Sequence, residues 1–149
     1  MRAVVQRVKY ARVTVAGTVK GRIDHGLLLL LGIGPADDRS TLEKLLTKIV
    51  NLRIFSDEAG KMNLNVQQVG GGVLLVSQFT LFGDARKGNR PSFTGAAPPE
   101  VARPLYEQGV EWLRAQGLVK VGAGVFGADM QVELLNDGPV TLWLDTAEW

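Results

Sequence analysis

Residues 1–33 read as strands. Val4, Val5 and Val8 begin an apolar pattern, and Val13 and Val15 alternate with Arg12 and Thr14, the period of a half-buried strand. Gly17 and Gly21 punctuate the pattern. Gly26 to Ile33 is then a continuous apolar run, expected of a strand buried on both faces. From Asp37 the period changes. Leu42, Leu45, Leu46, Ile49 and Val50 recur at helical spacing, with Asp37, Asp38 or Ser40 available as the cap. This predicts an amphipathic helix covering one sheet face. Asp57-Glu58-Ala59-Gly60 is turn chemistry, and Val73 to Val76 is a second buried strand. A second helix is predicted from about Pro98 to Gln116, with Val101, Leu105, Tyr106, Val110, Trp112 and Leu113 inward. Pro104 inside it calls for a bend or a late start. Val119, Val121 and Val125 suggest a further strand.

Near the end, Met130 to Leu134 alternates strictly, as does Val140 to Asp145. Asp137-Gly138 between them is a strong turn signal, so a hairpin is expected. Pro139 complicates it, because proline has no N–H and sits badly inside a central strand. At an X-Pro bond the cis form costs only about 0.5–1 kcal/mol. A cis Gly138-Pro139 bond, the alternative to a plain hairpin, would turn two neighbouring carbonyl oxygens to one side.

Composition narrows the classes. A length of 149 residues suits one domain, 1–149, with a real core. No apolar run approaches the ~18 residues of a membrane helix. The N-terminal Met1-Arg2-Ala3-Val4-Val5 has no signal-peptide character, so a cytoplasmic protein is expected. The absence of cysteine rules out disulfides, thiolate metal sites and cysteine nucleophiles. The single histidine, His25, has no acid or nucleophile beside it and reads as a turn or surface residue. Charge is uneven: residues 1–90 hold 14 Lys and Arg against 7 Asp and Glu, and the remainder hold 3 against 8. That split fits a basic face for a polyanion, or simply two solvated faces.

Candidate chemistry sits at strand ends. Ser77-Gln78-Phe79-Thr80 places two hydroxyls and an amide after a buried strand, where they could also bond locally to backbone. Arg86, Lys87 and Arg90 share a loop with Gly88 and Phe93, which suits phosphate contact or plain solvation. Gly70-Gly71-Gly72 lacks the following Lys-Ser/Thr of a phosphate loop.

Ser77-Gln78-Phe79-Thr80 and Gly138-Pro139-Val140-Thr141 together resemble the D-aminoacyl-tRNA deacylase family, which carries both motifs. Met1 to Val8, Gly60 to Asn63, Lys87 to Phe93 and Phe126 to Met130 extend the likeness over nearly the whole chain. Asp24 stands where the family commonly has glycine, far in sequence from both motifs. The resemblance implies an α+β fold, a single domain with a mostly antiparallel or mixed, barrel-like sheet and two main amphipathic helices. It implies a cytosolic homodimer that needs no cofactor or metal. The reaction implied is hydrolysis of the ester joining a D-amino acid to the 3′ adenosine of tRNA, and removal of glycine from mischarged tRNA.

The resemblance also assigns roles. Ser77, Gln78, Phe79 and Thr80 form the catalytic segment, and Gly138, Pro139, Met130 and Phe126 bind the substrate. A cis Gly138-Pro139 reaches the partner's pocket and excludes L side chains. Arg86, Lys87 and Arg90 are expected at tRNA phosphates. An aminoacyl ester is already activated, so hydrolysis needs water positioning and an oxyanion site more than a strong base. Backbone N–H groups near Phe79 and Thr80 could supply that site, with the adenosine 2′-hydroxyl assisting. A threonine nucleophile needs an adjacent base, and the sequence offers no obvious one. Two rivals remain at this point: a small-molecule esterase using Thr80 covalently, and a dimeric RNA-binding module without catalysis.

Overall fold

The computed structural model describes residues 1–149. β1 (Arg2–Val15), β2 (Thr18–Ile23) and β3 (Gly26–Gly32) lead to α1 (Arg39–Val50). A small hairpin, β4 (Phe55–Ser56) and β5 (Met62–Leu64), precedes β6 (Gly72–Ser77). After it come α2 (Pro99–Arg114), β7 (Val121–Ala123) and β8 (Gln131–Asp145). The main sheet runs β2-β1-β3-β6-β7, with β8 on the other edge of β1. β3 and β6 are parallel, as are β6 and β7, whereas β1 is antiparallel to β2, β3 and β8.

The sheet curls into a nearly closed barrel, and glycine makes the closure possible. A Cβ on Gly21 of β2 would lie 2.4 Å from the Ala123 carbonyl oxygen of β7. One on Gly122 would lie 3.2 Å from the backbone nitrogen of Arg22. The two ends of the sheet pass this closely only because neither glycine carries a side chain.

The unbroken leucine run of β3 follows from having a core on each side. Leu27, Leu29 and Leu31 face outward with Val73 and Leu75, against Leu42, Leu45, Leu46 and Ile49 of α1 and Leu113 of α2. Leu28 faces inward with Leu74, Val76, Val8, Val13 and Ile23. Each fully buried side chain of this size contributes about 1.5–3 kcal/mol.

α1 carries the five buried residues that its spacing predicts. Among its three candidate caps Asp38 serves, accepting from the Thr41 N–H at 2.8 Å, and that bond lowers its carboxyl pKa. Asp37 instead accepts from the Gly34 N–H at 2.6 Å. The turn at 57–60 is present, with the Asp57 carboxylate accepting from the Ala59 and Lys61 N–H groups. His25 is exposed, its Nε2 2.9 Å from the Val69 carbonyl oxygen.

α2 spans Pro99–Arg114, close to the expected 98–116, and contains Pro104, so of the two alternatives the late start is excluded. Two expectations change. On α2 Val101 is exposed and Trp112 only half-buried, while Ala102 and Gly109 take inward positions. β7 spans only Val121–Ala123, leaving Val119 and Val125 exposed.

The largest correction is at residues 136–141, which do not form a hairpin. The runs on either side of Gly138-Pro139 belong to one strand, β8, and both pair with β1: Val132 opposite Val13, and Leu142 opposite Val5. Between Gln6↔Thr141 and Val8↔Asn136 the register shifts, so residues 137–140 bulge from the ladder. The bulge also switches faces. Val132 and Leu134 pack toward the barrel interior, whereas Val140, Leu142 and Leu144 pack toward the helical side. Fourteen-residue β1 is long enough to serve both halves, so the chain need not reverse.

Candidate functional site

The carboxyl ends of the parallel strands β3 and β6 lie side by side, with Leu31 opposite Ser77. The chain therefore leaves both strands at the same edge of the sheet, where a pocket is easily built. A cavity of about 390 Å³ opens there. Leu31 and Ile33 form its floor; Ser77, Gln78 and Phe79 follow β6; Ala97, Pro98, Pro99 and Ala102 come from the start of α2. Phe93 and Phe126 complete its aromatic walls, with the Phe79 and Phe93 rings meeting edge to face at 5.3 Å.

Tyr106 braces the cavity from behind. Its hydroxyl donates to the Leu75 carbonyl at 2.9 Å and lies 3.1 Å from the Gly124 carbonyl oxygen. Its ring packs 5.8 Å from that of Phe126. The hydroxyl thus ties β6, two residues before Ser77, to the segment that delivers Phe126. Burial pushes its pKa up to about 12. On the outer side, the Arg103 guanidinium lies 4.9 Å over the Phe126 ring.

After Ser77 the backbone enters a single 3₁₀ turn, Phe79–Phe82. The Gln78 N–H is bonded to the Leu31 carbonyl at 2.8 Å and the Leu81 N–H to Gln78. No turn or loop carbonyl and no side chain accepts from the N–H groups of Phe79 and Thr80. A pair of free backbone donors beside a small apolar cavity can stabilise negative charge developing on a carbonyl oxygen. The Thr80 hydroxyl is differently placed. Thr80 is exposed, it is not part of the cavity wall, and its Oγ1 accepts from the Gln78 side-chain amide. No histidine or carboxylate is hydrogen-bonded to it, and His25 lies beyond the opposite end of β3.

Of the substrate-binding residues expected from the sequence, only Phe126 lines this cavity. Met130 packs against the barrel-interior cluster. Gly138 and Pro139 are exposed on the bulge of β8, outside the cavity of their own chain. Their peptide bond is cis. The bulge is firmly held. Asn136 Oδ1 accepts from the Val140 N–H at 2.8 Å, and its Nδ2 donates to the Val140 carbonyl and the Thr141 hydroxyl at 3.2 and 3.0 Å. Arg7 Nε donates to the Asp137 carbonyl at 2.9 Å.

The basic loop is only partly free. Arg86 binds the Asp84 carboxylate through Nε and Nη2 at 2.9 and 2.6 Å, and this bonding holds the Asp84 carboxyl well below the usual carboxylate range. Lys87 and Arg90 are exposed and make no ion pair. No three His, Asp or Glu side chains converge in a way that could hold a metal ion. Sequence reasoning missed Pro98, Pro99, Ala97 and Ala102 as lining residues. The Pro-Pro pair at a helix start was the available signal, since it holds the entering chain extended.

Fold and cavity define a small mixed-sheet barrel with an acyl-sized, amide-edged pocket at its strand ends. Comparison with known proteins makes the assignment specific. The chain belongs to the D-Tyr-tRNA(Tyr) deacylase family, whose model matches residues 4–145. It is 60% identical to the D-aminoacyl-tRNA deacylase of Syntrophobacter fumaroxidans, covering 98% of this chain and 97% of the relative. It is 59% identical to that of Deinococcus radiodurans, covering 97% and 99%. Among solved structures it is similar to one titled c-Myc DNA Unwinding Element Binding Protein, at TM-score 0.92 and 44% identity over 98% and 99% of the two chains. The fold also matches a probable eukaryotic D-amino acid tRNA deacylase, at TM-score 0.82 and 16% identity over 96% and 97%. No helix is long and apolar enough to cross a membrane.

Proposed function

We propose that the chain is a D-aminoacyl-tRNA deacylase, hydrolysing the ester between a D-amino acid and the 3′ adenosine of tRNA and releasing both. Family membership at about 60% identity over nearly the full length carries this reading. The cavity is consistent with it. Its apolar walls suit a side chain and an adenine ring, and the free N–H groups of Phe79 and Thr80 suit the ester carbonyl as it becomes tetrahedral. Thr80 is a positioning residue for Gln78 in this scheme, and the neighbouring adenosine 2′-hydroxyl assists water attack. A covalent Thr80 mechanism is disfavoured because its hydroxyl is bonded to an amide and lacks a base.

The same reading includes chiral selection across a cytoplasmic homodimer. Gly138 and Pro139 lie outside their own chain's cavity, so a wall built from them must stand in the cavity of a second copy. β8 is an edge strand that exposes Leu135 and Trp143, and such an edge needs cover. Carbonyl oxygens in the place of an L side chain reject L esters and leave space for hydrogen, so glycine esters pass. Met130, packed into the barrel interior, acts on substrate binding only through the segment that delivers Phe126, and Arg86, Lys87 and Arg90 meet tRNA phosphates.

The test is deacylation of matched D- and L-aminoacyl-tRNA by purified protein, with sedimentation in parallel. Rapid clearance of the D ester alone by a dimer is expected. Equal rates on both enantiomers, or full activity from a monomer, would sink the selective mechanism; no turnover of either would sink the activity.

A further inference from the structure

A second, polar groove of about 540 Å³ adjoins the reaction cavity. Ser92 bridges back to Asp84 through paired backbone hydrogen bonds of 2.7 and 2.8 Å. Successive residues here serve opposite sides: Phe93 walls the reaction cavity, whereas Ser92 and Thr94 line the groove. Phe93, between Ser92 and Thr94 in the chain, therefore stands between the two.

The chemistry of the groove is unlike that of the cavity. The hydroxyls of Ser92 and Thr94 stand 3.3 Å apart. The Arg2 guanidinium lies 4.6 Å over the Phe82 ring, held by Asp145 at 2.9 Å and the Leu81 carbonyl at 3.0 Å, with its Nη2 unpartnered. Arg86 spends Nε and Nη2 on Asp84 and leaves Nη1 free. The one carboxylate in the groove, Asp84, is occupied by Arg86, accepting also from its backbone N–H at 3.0 Å. What remains for a ligand is mostly donors, two guanidinium edges and two hydroxyls on a pre-ordered frame. Such a surface fits a phosphate oxygen. Lys87 and Arg90, exposed and unpaired in the same loop, add to its positive charge.

We propose that this groove is the subsite for the phosphodiester and penultimate nucleotide of the RNA strand whose terminal aminoacyl-adenosine occupies the cavity. The proposal rests on the deacylase reading and extends it by one nucleotide. A strand leaving the cavity has to cross the adjoining surface, and the groove lies one aromatic ring away from it. Phosphate contacts there set the register of the strand while the cavity reads the ester.

The experiment compares kcat/KM for D-aminoacyl esters of adenosine and of cytidylyl-adenosine, using wild type, Ser92→Ala/Thr94→Val and Arg86→Gln. Arg86 is 88% exposed, so its substitution tests the site without disturbing the core. Wild type should favour the dinucleotide ester by about tenfold, the factor expected for one hydrogen bond to a charged group, and mainly through KM. Both variants should shrink that preference toward unity. An absent preference in wild type, or an intact one in both variants, overturns the subsite. If wild type hydrolyses neither ester and also leaves D-aminoacyl-tRNA intact, the deacylase reading falls. With neither ester hydrolysed, the subsite is decided by binding of unesterified cytidylyl-adenosine: tighter in wild type than in the variants upholds it, and equal affinity overturns it.

Discussion

Tyr106→Phe removes a single hydroxyl from the brace behind the cavity and tests whether that brace holds β6 to the Phe126 segment. In the native chain the hydroxyl serves two carbonyls. The Leu75 carbonyl would keep a second partner, the Gly124 N–H at 2.9 Å, while the Gly124 carbonyl would be left without the hydroxyl beside it. One buried acceptor left unsatisfied costs about 1–2 kcal/mol. For a chain of this size that lowers Tm by roughly 2–8 °C. A pH series sharpens the test. Burial raises the Tyr106 pKa from 10.0 to about 12, so the folded state holds this proton more tightly than the unfolded state does. Stability from this group is therefore fully present below pH ~10 and is lost as pH rises from ~10 toward ~12, a change of about 2–3 kcal/mol. Phenylalanine has no such dependence. Urea unfolding at neutral pH should show wild type more stable, and the difference should shrink and vanish near pH ~11. Equal stability at neutral pH, followed by parallel alkaline decline, would refute the brace.

Thr80→Val should keep deacylation within about tenfold of wild type, because its hydroxyl is bonded to the Gln78 amide and has no base beside it; a loss near the ~10⁶-fold seen for true nucleophiles would overturn this. Asn136→Ala removes the three hydrogen bonds that hold the 137–140 bulge, so D-over-L selectivity should fall by about tenfold or more, measured as the ratio of the two deacylation rates. Unchanged selectivity would separate the bulge from chiral choice. Replacing Arg86, Lys87 and Arg90 by alanine should flatten the salt dependence of tRNA binding, by about 0.7 for each phosphate no longer neutralised. Single variants should place more of that change on Lys87 and Arg90 than on Arg86, which Asp84 already neutralises; an unchanged slope returns the loop to solvent.

Local pattern was legible wherever burial alone decides it. The leucine run of β3 announces a strand with a core on each face, and the spacing from Leu42 to Val50 announces a helix with one buried stripe. The polar Ser77 to Thr80 stretch after a buried strand marked the cavity edge, because a buried strand ending in hydroxyls and amides needs a reason for them. Only the likeness to a family linked that edge to Gly138-Pro139, since no local rule connects segments so far apart in the chain.

The sequence by itself determined the main apolar stripes, the existence and approximate extent of both helices, and which segments carry polar chemistry at strand ends. These depend on neighbours within a few positions along the chain. Tertiary structure decided the rest. It joined the two halves of β8 into one strand because long β1 could pair with both, overriding the turn signal of Asp137-Gly138. It closed the barrel where Gly21 and Gly122 let two backbones pass, and it walled the cavity with Phe93 and Phe126, which come from separate segments. It also spent Arg86 on Asp84 while leaving Lys87 and Arg90 free. Hydrophobic periodicity records how strongly each residue favours burial, whereas register, closure and ion pairing depend on which distant group arrives beside it.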